Sequence, residues 1–115
     1  MAIDILETVD IIETMENYLE KARTTENIRK QFDLGYKIEN QSIILLEIRP
    51  VWKNPAEFAE HGFAKASFIK GKLIWKIYWM RANLKWHLYE PSPEVTTLKQ
   101  FLKIVDEDKF HCFKG

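Results

Sequence analysis

Apolar residues return at helical spacing along the first two dozen positions. Ile5, Val9, Ile12 and Leu19 form one stripe, and Ile11, Met15, Tyr18 and Ala22 form a second beside it. This pattern predicts a helix from about Ile3 to Arg23 with a broad apolar face. The following "TTENIRKQF" can add one more helical turn, with Thr24 or Thr25 as its cap.

The pattern then changes to alternation. "LGYKIEN" and "SIILLEIRPVW" read as two strands joined at Asn40-Gln41, since asparagine tolerates the positive φ of a tight hairpin. The second strand is apolar at successive positions, which places it centrally in a sheet, and Pro50 limits how far it pairs. "NPAEFAEHG" carries helix punctuation: Asn54 as N-cap, Pro55 at the first helical position, Glu57 for a capping box and Gly62 as the stop.

"FAKASFIKGKLIWKIYWM" predicts a hairpin turning on Lys70-Gly71, with Phe68 opposite Leu73, Ala66 opposite Trp75 and Ala64 opposite Ile77. Small residues opposite large ones give the cross-strand volume matching that such pairs need. A further hairpin within "RANL" is expected to pair Trp79 with Trp86 and Ile77 with Leu88. Beyond Pro91 a second helix is expected, capped by Ser92, started by Pro93, and burying Val95, Leu98, Phe101, Leu102 and Val105. The terminal "DEDKFHCFKG" reads as an irregular tail pinned by Phe110 and Phe113, with Cys112 as a small buried apolar group.

The expected fold is α+β: a five-stranded antiparallel meander with an N-terminal and a C-terminal helix packed on one face. Residues 1–115 make a single domain, and a chain of that length buries enough surface to fold without disulfides or metal. One cysteine excludes an intrachain disulfide. The acidic start is unlike a secretory signal, and no apolar run nears the roughly 18 residues that span a bilayer. A cytoplasmic protein with no membrane contact is expected.

The net charge of zero argues against a dedicated duplex-DNA binder. It conceals a segregation. Residues 1–26 carry seven acids against Lys21 and Arg23, whereas residues 63–89 carry six bases and no acid. The simplest outcome is an acidic helix lying beside a basic sheet.

The pairing sorts residues 63–90 into two faces. Ala64, Ala66, Phe68, Leu73, Trp75, Ile77, Trp79, Trp86 and Leu88 fall on one, which needs helices over it. Lys65, Ser67, Lys76, Tyr78, Lys85, His87 and Tyr89 fall on the other, with Phe63, Ile69, Ile74 and Met80 among them. Alternating basic and aromatic side chains resemble a platform for single-stranded nucleic acid, and equally suit the wet face of an antiparallel sheet. Tyr78, Met80 and Tyr89 are also residue types that favour self-association. The candidate binding face is therefore Lys65, Lys76, Tyr78, Lys85, His87 and Tyr89.

Asp33 with Glu47 gives a weaker alternative, a pair of acids on neighbouring strands of the kind that hold Mg²⁺ in nucleases. The position that would carry the nuclease lysine is Arg49, whose guanidinium stays protonated, so an ion pair with Glu47 is the plainer reading. His61, His87, His111 and Cys112 lie at no metal-ligand spacing, and there is no glycine-rich phosphate loop. No metal, cofactor or catalytic residue is expected.

The segments "YWMRANLKWHLYEP" and "VDEDKFHCFKG", with "LGYKIENQSIILLEIRPVW" and "FAKASFIKGKLIWKIYWM", resemble the small bacterial proteins of the uncharacterised family catalogued as domain of unknown function 3024. The resemblance runs from about residue 10 to the end and leaves residues 1–9 outside as an extension. It implies a single domain in a bacterial or phage setting and transfers no catalytic residue. The function expected is a non-enzymatic protein-interaction module, pairing with itself or another protein. A single-strand nucleic-acid binder is the alternative, and a divalent-metal nuclease the second alternative.

Overall fold

The computed structural model describes residues 5–23, 33–51, 53–110 and 112–113. Helix α1 (Ile5–Arg23) lies on the first strand of an antiparallel sheet, running β1 (Asp33–Glu39), β2 (Ser42–Val51), β3 (Asn54–Ile69), β4 (Ile74–Met80) and β5 (Trp86–Leu88) in spatial order. A two-residue β6 (Glu94–Val95) joins the same side of β4 as β5, and α2 (Leu98–Glu107) follows. The α+β meander with its two helices is as expected from the sequence. The extra turn expected within 24–32 lies outside the described residues.

Both helices pack on one sheet face. Ile11 and Met15 from α1, and Phe101 and Val105 from α2, share a core with Ile43, Leu45, Ala66, Trp75 and Ile77. The apolar face of α1 is narrower than the sequence suggests. Ile11, Met15 and Leu19 are buried, but Val9 is 57% and Ile12 41% exposed. Among the described residues the helix packs chiefly on β1 and α2, so one line of side chains at i, i+4, i+8 suffices to seat it.

The largest departure is residues 54–62, which form strand and not a short helix. The Asn54 side chain does accept a backbone N–H, from Ala56 at 3.3 Å, as a cap would. The chain nevertheless stays extended, because the far half of β2 needs a ladder partner for its backbone. Glu47 stands opposite His61, Arg49 opposite Ala59, and Pro50 opposite Phe58, and the register breaks directly after Pro50, leaving only the Val51–Asn54 pair beyond it. The register slips between Leu45, paired with Ala64, and Leu46, paired with Gly62. This bulge leaves Phe63 as the extra residue and brings it into the core, not onto the wet face expected for it.

The next two loops decide which side chains share a face. Lys70–Leu73 makes the β3–β4 loop, so Phe68 stands opposite Trp75, Ala66 opposite Ile77 and Ala64 opposite Trp79. That is two residues from the expected register, and the faces are preserved. Leu73 leaves the apolar face for the turn, at φ 54°. In the β4–β5 loop Arg81 N–H bonds the Lys85 carbonyl at 3.2 Å, and Leu84 closes the turn at φ 62°. The three residues between them make the shift odd: Trp79 faces His87 and Met80 faces Trp86. A one-residue slip reverses every side chain. Trp86 and Leu88 thus leave the helix-covered face on which the sequence placed them.

Helix α2 starts later than Ser92. Thr97 is its N-cap, in a reciprocal capping box with Gln100, while Glu94 and Val95 pair with Lys76 and Trp75. The expected stripe of Leu98, Phe101, Leu102 and Val105 is buried. Of the tail residues, Phe113 packs on Tyr89 with ring centroids 4.8 Å apart, held by Asp108 Oδ1, which accepts the Phe113 N–H at 3.0 Å. Phe110 is exposed. Among the described residues no helix is long and apolar enough to cross a membrane.

Candidate interaction face

The sheet face away from the helices is built from one transverse row. Ile44 stands opposite Lys65, Lys65 opposite Tyr78, and Tyr78 opposite Leu88, with the Met80–Trp86 pair alongside. Ile44 is buried in this row, whereas Lys65, Tyr78, Met80 and Trp86 are half-buried and Leu88 is exposed. The Lys65 ammonium lies 5.6 Å from the ring centroids of both Tyr78 and Trp86. That geometry suits a cation–π contact, which holds the two rings and the lysine as one unit. Toward β1 the face ends in the exposed Lys37–Glu39 ion pair at 3.4 Å.

Lys65, Lys76 and Tyr78 share this face, as the sequence predicts; Lys85, His87 and Tyr89 lie elsewhere. Lys85 is in the β4–β5 loop, its N–H bonded to Asn83 Oδ1 at 3.1 Å. His87 stands opposite Trp79 on the helix side, with Nε2 3.4 Å from Asn83 Nδ2. Tyr89 is a core residue, only 2% exposed, whose N–H bonds the Ile77 carbonyl. Burial pushes its phenol pKa upward, reinforced by Cys112 and Asp108. Trp86 and Leu88 join the face in their place. Their signal was the odd loop length, which an αL leucine does not announce.

The two acids of the nuclease alternative are not cross-strand partners. Glu47 stands opposite Leu34, and Asp33 opposite Ile48. The Glu47 carboxylate is engaged by Arg49, with Nη2 at 2.7 Å and Nε at 2.9 Å from the same oxygen. Among the described residues no three of His, Cys, Asp and Glu converge on a metal-sized site. His61 is exposed, and His111 lies outside the described residues. Cys112 is half-buried, with Sγ 3.7 Å from the Phe110 carbonyl. Burial raises its thiol pKa, as does Asp108, against a lowering by Arg81, which disfavours the nucleophilic thiolate.

Two grooves on the helix side are lined by described residues. One, of about 630 Å³, runs between α1 and α2 past Tyr18, Lys103 and Asp106. The other, of about 430 Å³, has Phe68, Trp75, Ile11 and Leu98 for walls and Asp10 and Lys99 at its rim.

The family model described as Domain of unknown function (DUF3024) matches residues 3–115. The chain belongs to this family. No curated protein and no solved structure matches it. The family match takes in residues 3–9, so this stretch belongs with the rest of the chain and is not an extension outside the family. The family description carries no activity, so the roles of residues in this member rest on their geometry. In that geometry the open sheet face is where apolar and aromatic groups meet solvent together.

Proposed function

We propose that this protein is a non-enzymatic interaction module of the bacterial cytoplasm, that it associates with itself, and that the open sheet face is the surface it uses. One observation carries the reading. Both helices cover the same side of the sheet, and the other side is left with Trp86, Tyr78, Met80 and Leu88 at the surface. Aromatic residues and methionine are the types enriched where proteins meet.

The charge on this face favours a second copy as occupant. Lys37, Lys65 and Lys76 share it by register with Asp33, Glu39, Glu60 and Glu94 among the described residues. Acids and bases interspersed on one face suit pairing with a second copy across a two-fold axis. Light scattering across the micromolar range tests this: a dimer or larger species is expected, and Leu88→Lys should raise the dissociation constant at least about tenfold. A wild-type monomer at every concentration would remove the proposal.

A second reading is supported by Lys65, Lys76 and Tyr78 standing together on the face. Base stacking on Tyr78 beside two lysines would bind single-stranded nucleic acid. It predicts a salt-sensitive shift of a labelled oligonucleotide, weakened by Lys76→Ala and Tyr78→Ala. Absence of a shift at low salt would eliminate it.

A further inference from the structure

β3 is much longer than its outer partner. β4 pairs it only from Ala64 to Ile69, and β1 reaches β2 only as far as Ile48, so the rest of the β2–β3 hairpin stands out as a two-stranded arm among the described residues. The backbone groups on its outer edge can be assigned. Phe68 N–H donates to the Gln41 carbonyl at 2.8 Å, so the even-numbered residues after the bulge turn their backbone toward β2. The bulge reverses that order, and Phe58 and Glu60 turn theirs outward, ahead of a second register shift between Pro50 and Val51. The Asn54 side chain reaches this edge at the Ala56 N–H. Phe58 at its centre is 65% exposed.

Building on the self-association proposed above, we infer that the edge from Ala56 to Glu60 pairs antiparallel with the same edge of a second copy, Phe58 opposite Phe58, continuing the sheet across both molecules. The register follows from what each residue would meet. With Phe58 on the two-fold axis, Glu57 faces Ala59 and Glu60 faces Ala56, so no like charges oppose. Phe58 N–H then reaches the partner Phe58 carbonyl, twice by symmetry. The Ala56 N–H is left to Asn54, which already holds it. Moving the axis to residue 57 sets Glu57 against Glu57, and moving it to residue 59 breaks up the phenylalanine pair. Edge strands left with free groups are templates for such pairing. The open faces of the two copies would then run on as one surface.

Cross-linking separates this contact from the face contact. A hydrogen-bonded antiparallel pair has Cα atoms about 5.5 Å apart, within disulfide range. In a Cys112→Ser background, Phe58→Cys is expected to form an intermolecular disulfide under mild oxidation. His61→Cys is exposed as well but would lie roughly 20 Å from its copy along the strands, and it should remain uncrosslinked. Phe58→Pro removes the outward donor without touching a bond to β2, and should weaken association at least about tenfold while circular dichroism shows the fold retained. An oligomer that Leu88→Lys dissociates, but that Phe58→Cys never links, overturns the edge pairing and leaves self-association standing. Equal linking at both positions overturns it too, as random collision. A wild type that stays monomeric overturns both.

Discussion

A Cβ placed on Gly62 would stand 3.1 Å from Cζ2 of Trp86 and 3.1 Å from Cγ2 of Ile44. The Trp86 indole therefore lies against bare backbone at the bulge, and its position on the open face depends on the missing side chain. Gly71, at the tip of the next hairpin, has open space where its Cβ would be.

Replacing Gly62 by valine should force the indole off the sheet. Overpacking of this kind costs roughly 1–3 kcal/mol. Gly71→Ala serves as the control and should shift stability by less than about 0.5 kcal/mol. Denaturant midpoints measure both, and Trp86 emission should move to the red in Gly62→Val alone. A Gly62→Val protein as stable as wild type, with unshifted emission, would mean that Trp86 does not pack here.

What the sequence revealed and what it concealed divide along physical lines. Alternation made β2, β3 and β4 legible, and an even error in the Lys70–Leu73 loop left Ala66, Phe68, Trp75 and Ile77 on their proper face. The odd shift after Met80 had no such protection. Its cause is a positive φ at Leu84, a conformation that glycine or asparagine would have signalled and leucine does not. The Phe63 bulge was equally silent. Residues 54–62 misled for a different reason: the cap-like Asn54 bond exists, but β2 offered a ladder that no local propensity reports. The strands accordingly place Lys65, Lys76 and Tyr78 on one face, while Lys85, His87 and Tyr89, beyond the loop, lie off it.

Leu84 gives the direct test of that loop. It is 80% exposed and sits at φ 62°, so it buries nothing and holds a backbone conformation that costs an L-residue about 1–2 kcal/mol. Leu84→Asn should stabilise the protein by about 1 kcal/mol, measured as a raised midpoint in chemical denaturation. A loss of stability would show that the loop has another geometry and that Trp86 faces the helices.

The start of α2 is similarly exposed to test. Gln100 N–H donates to Thr97 Oγ1 at 3.2 Å, and Thr97 N–H donates to Gln100 Oε1 at 3.1 Å. Thr97→Ala should cost about 1 kcal/mol. Ser92→Ala, at the position the sequence favoured for the cap, should leave thermal unfolding nearly unchanged. The reverse order of effects would place the helix start at Ser92.

Tyr18 ties the two helices together, donating its hydroxyl to Asp106 Oδ1 at 2.7 Å. Burial raises its pKa well above the ordinary value of 10.0, and the Asp106 hydrogen bond and negative charge raise it further. Below that ordinary value the phenol keeps its proton whether the chain is folded or not, and its contribution to stability is complete. Above it the unfolded chain ionises while native Tyr18 does not, so the native state binds more protons and stability falls. The slope is about 1.4 kcal/mol per pH unit for one such group. Tyr36 and Tyr89, whose pKa values burial also raises, add to it in the same direction. Tyr18→Phe should lose about 1 kcal/mol at neutral pH through the missing bond, yet decline less steeply than wild type above about pH 10. Denaturant midpoints across that range, with tyrosinate absorbance of the native protein, decide the matter. Identical slopes in the two proteins would show that Tyr18 ionises as freely in the folded chain as in the unfolded one.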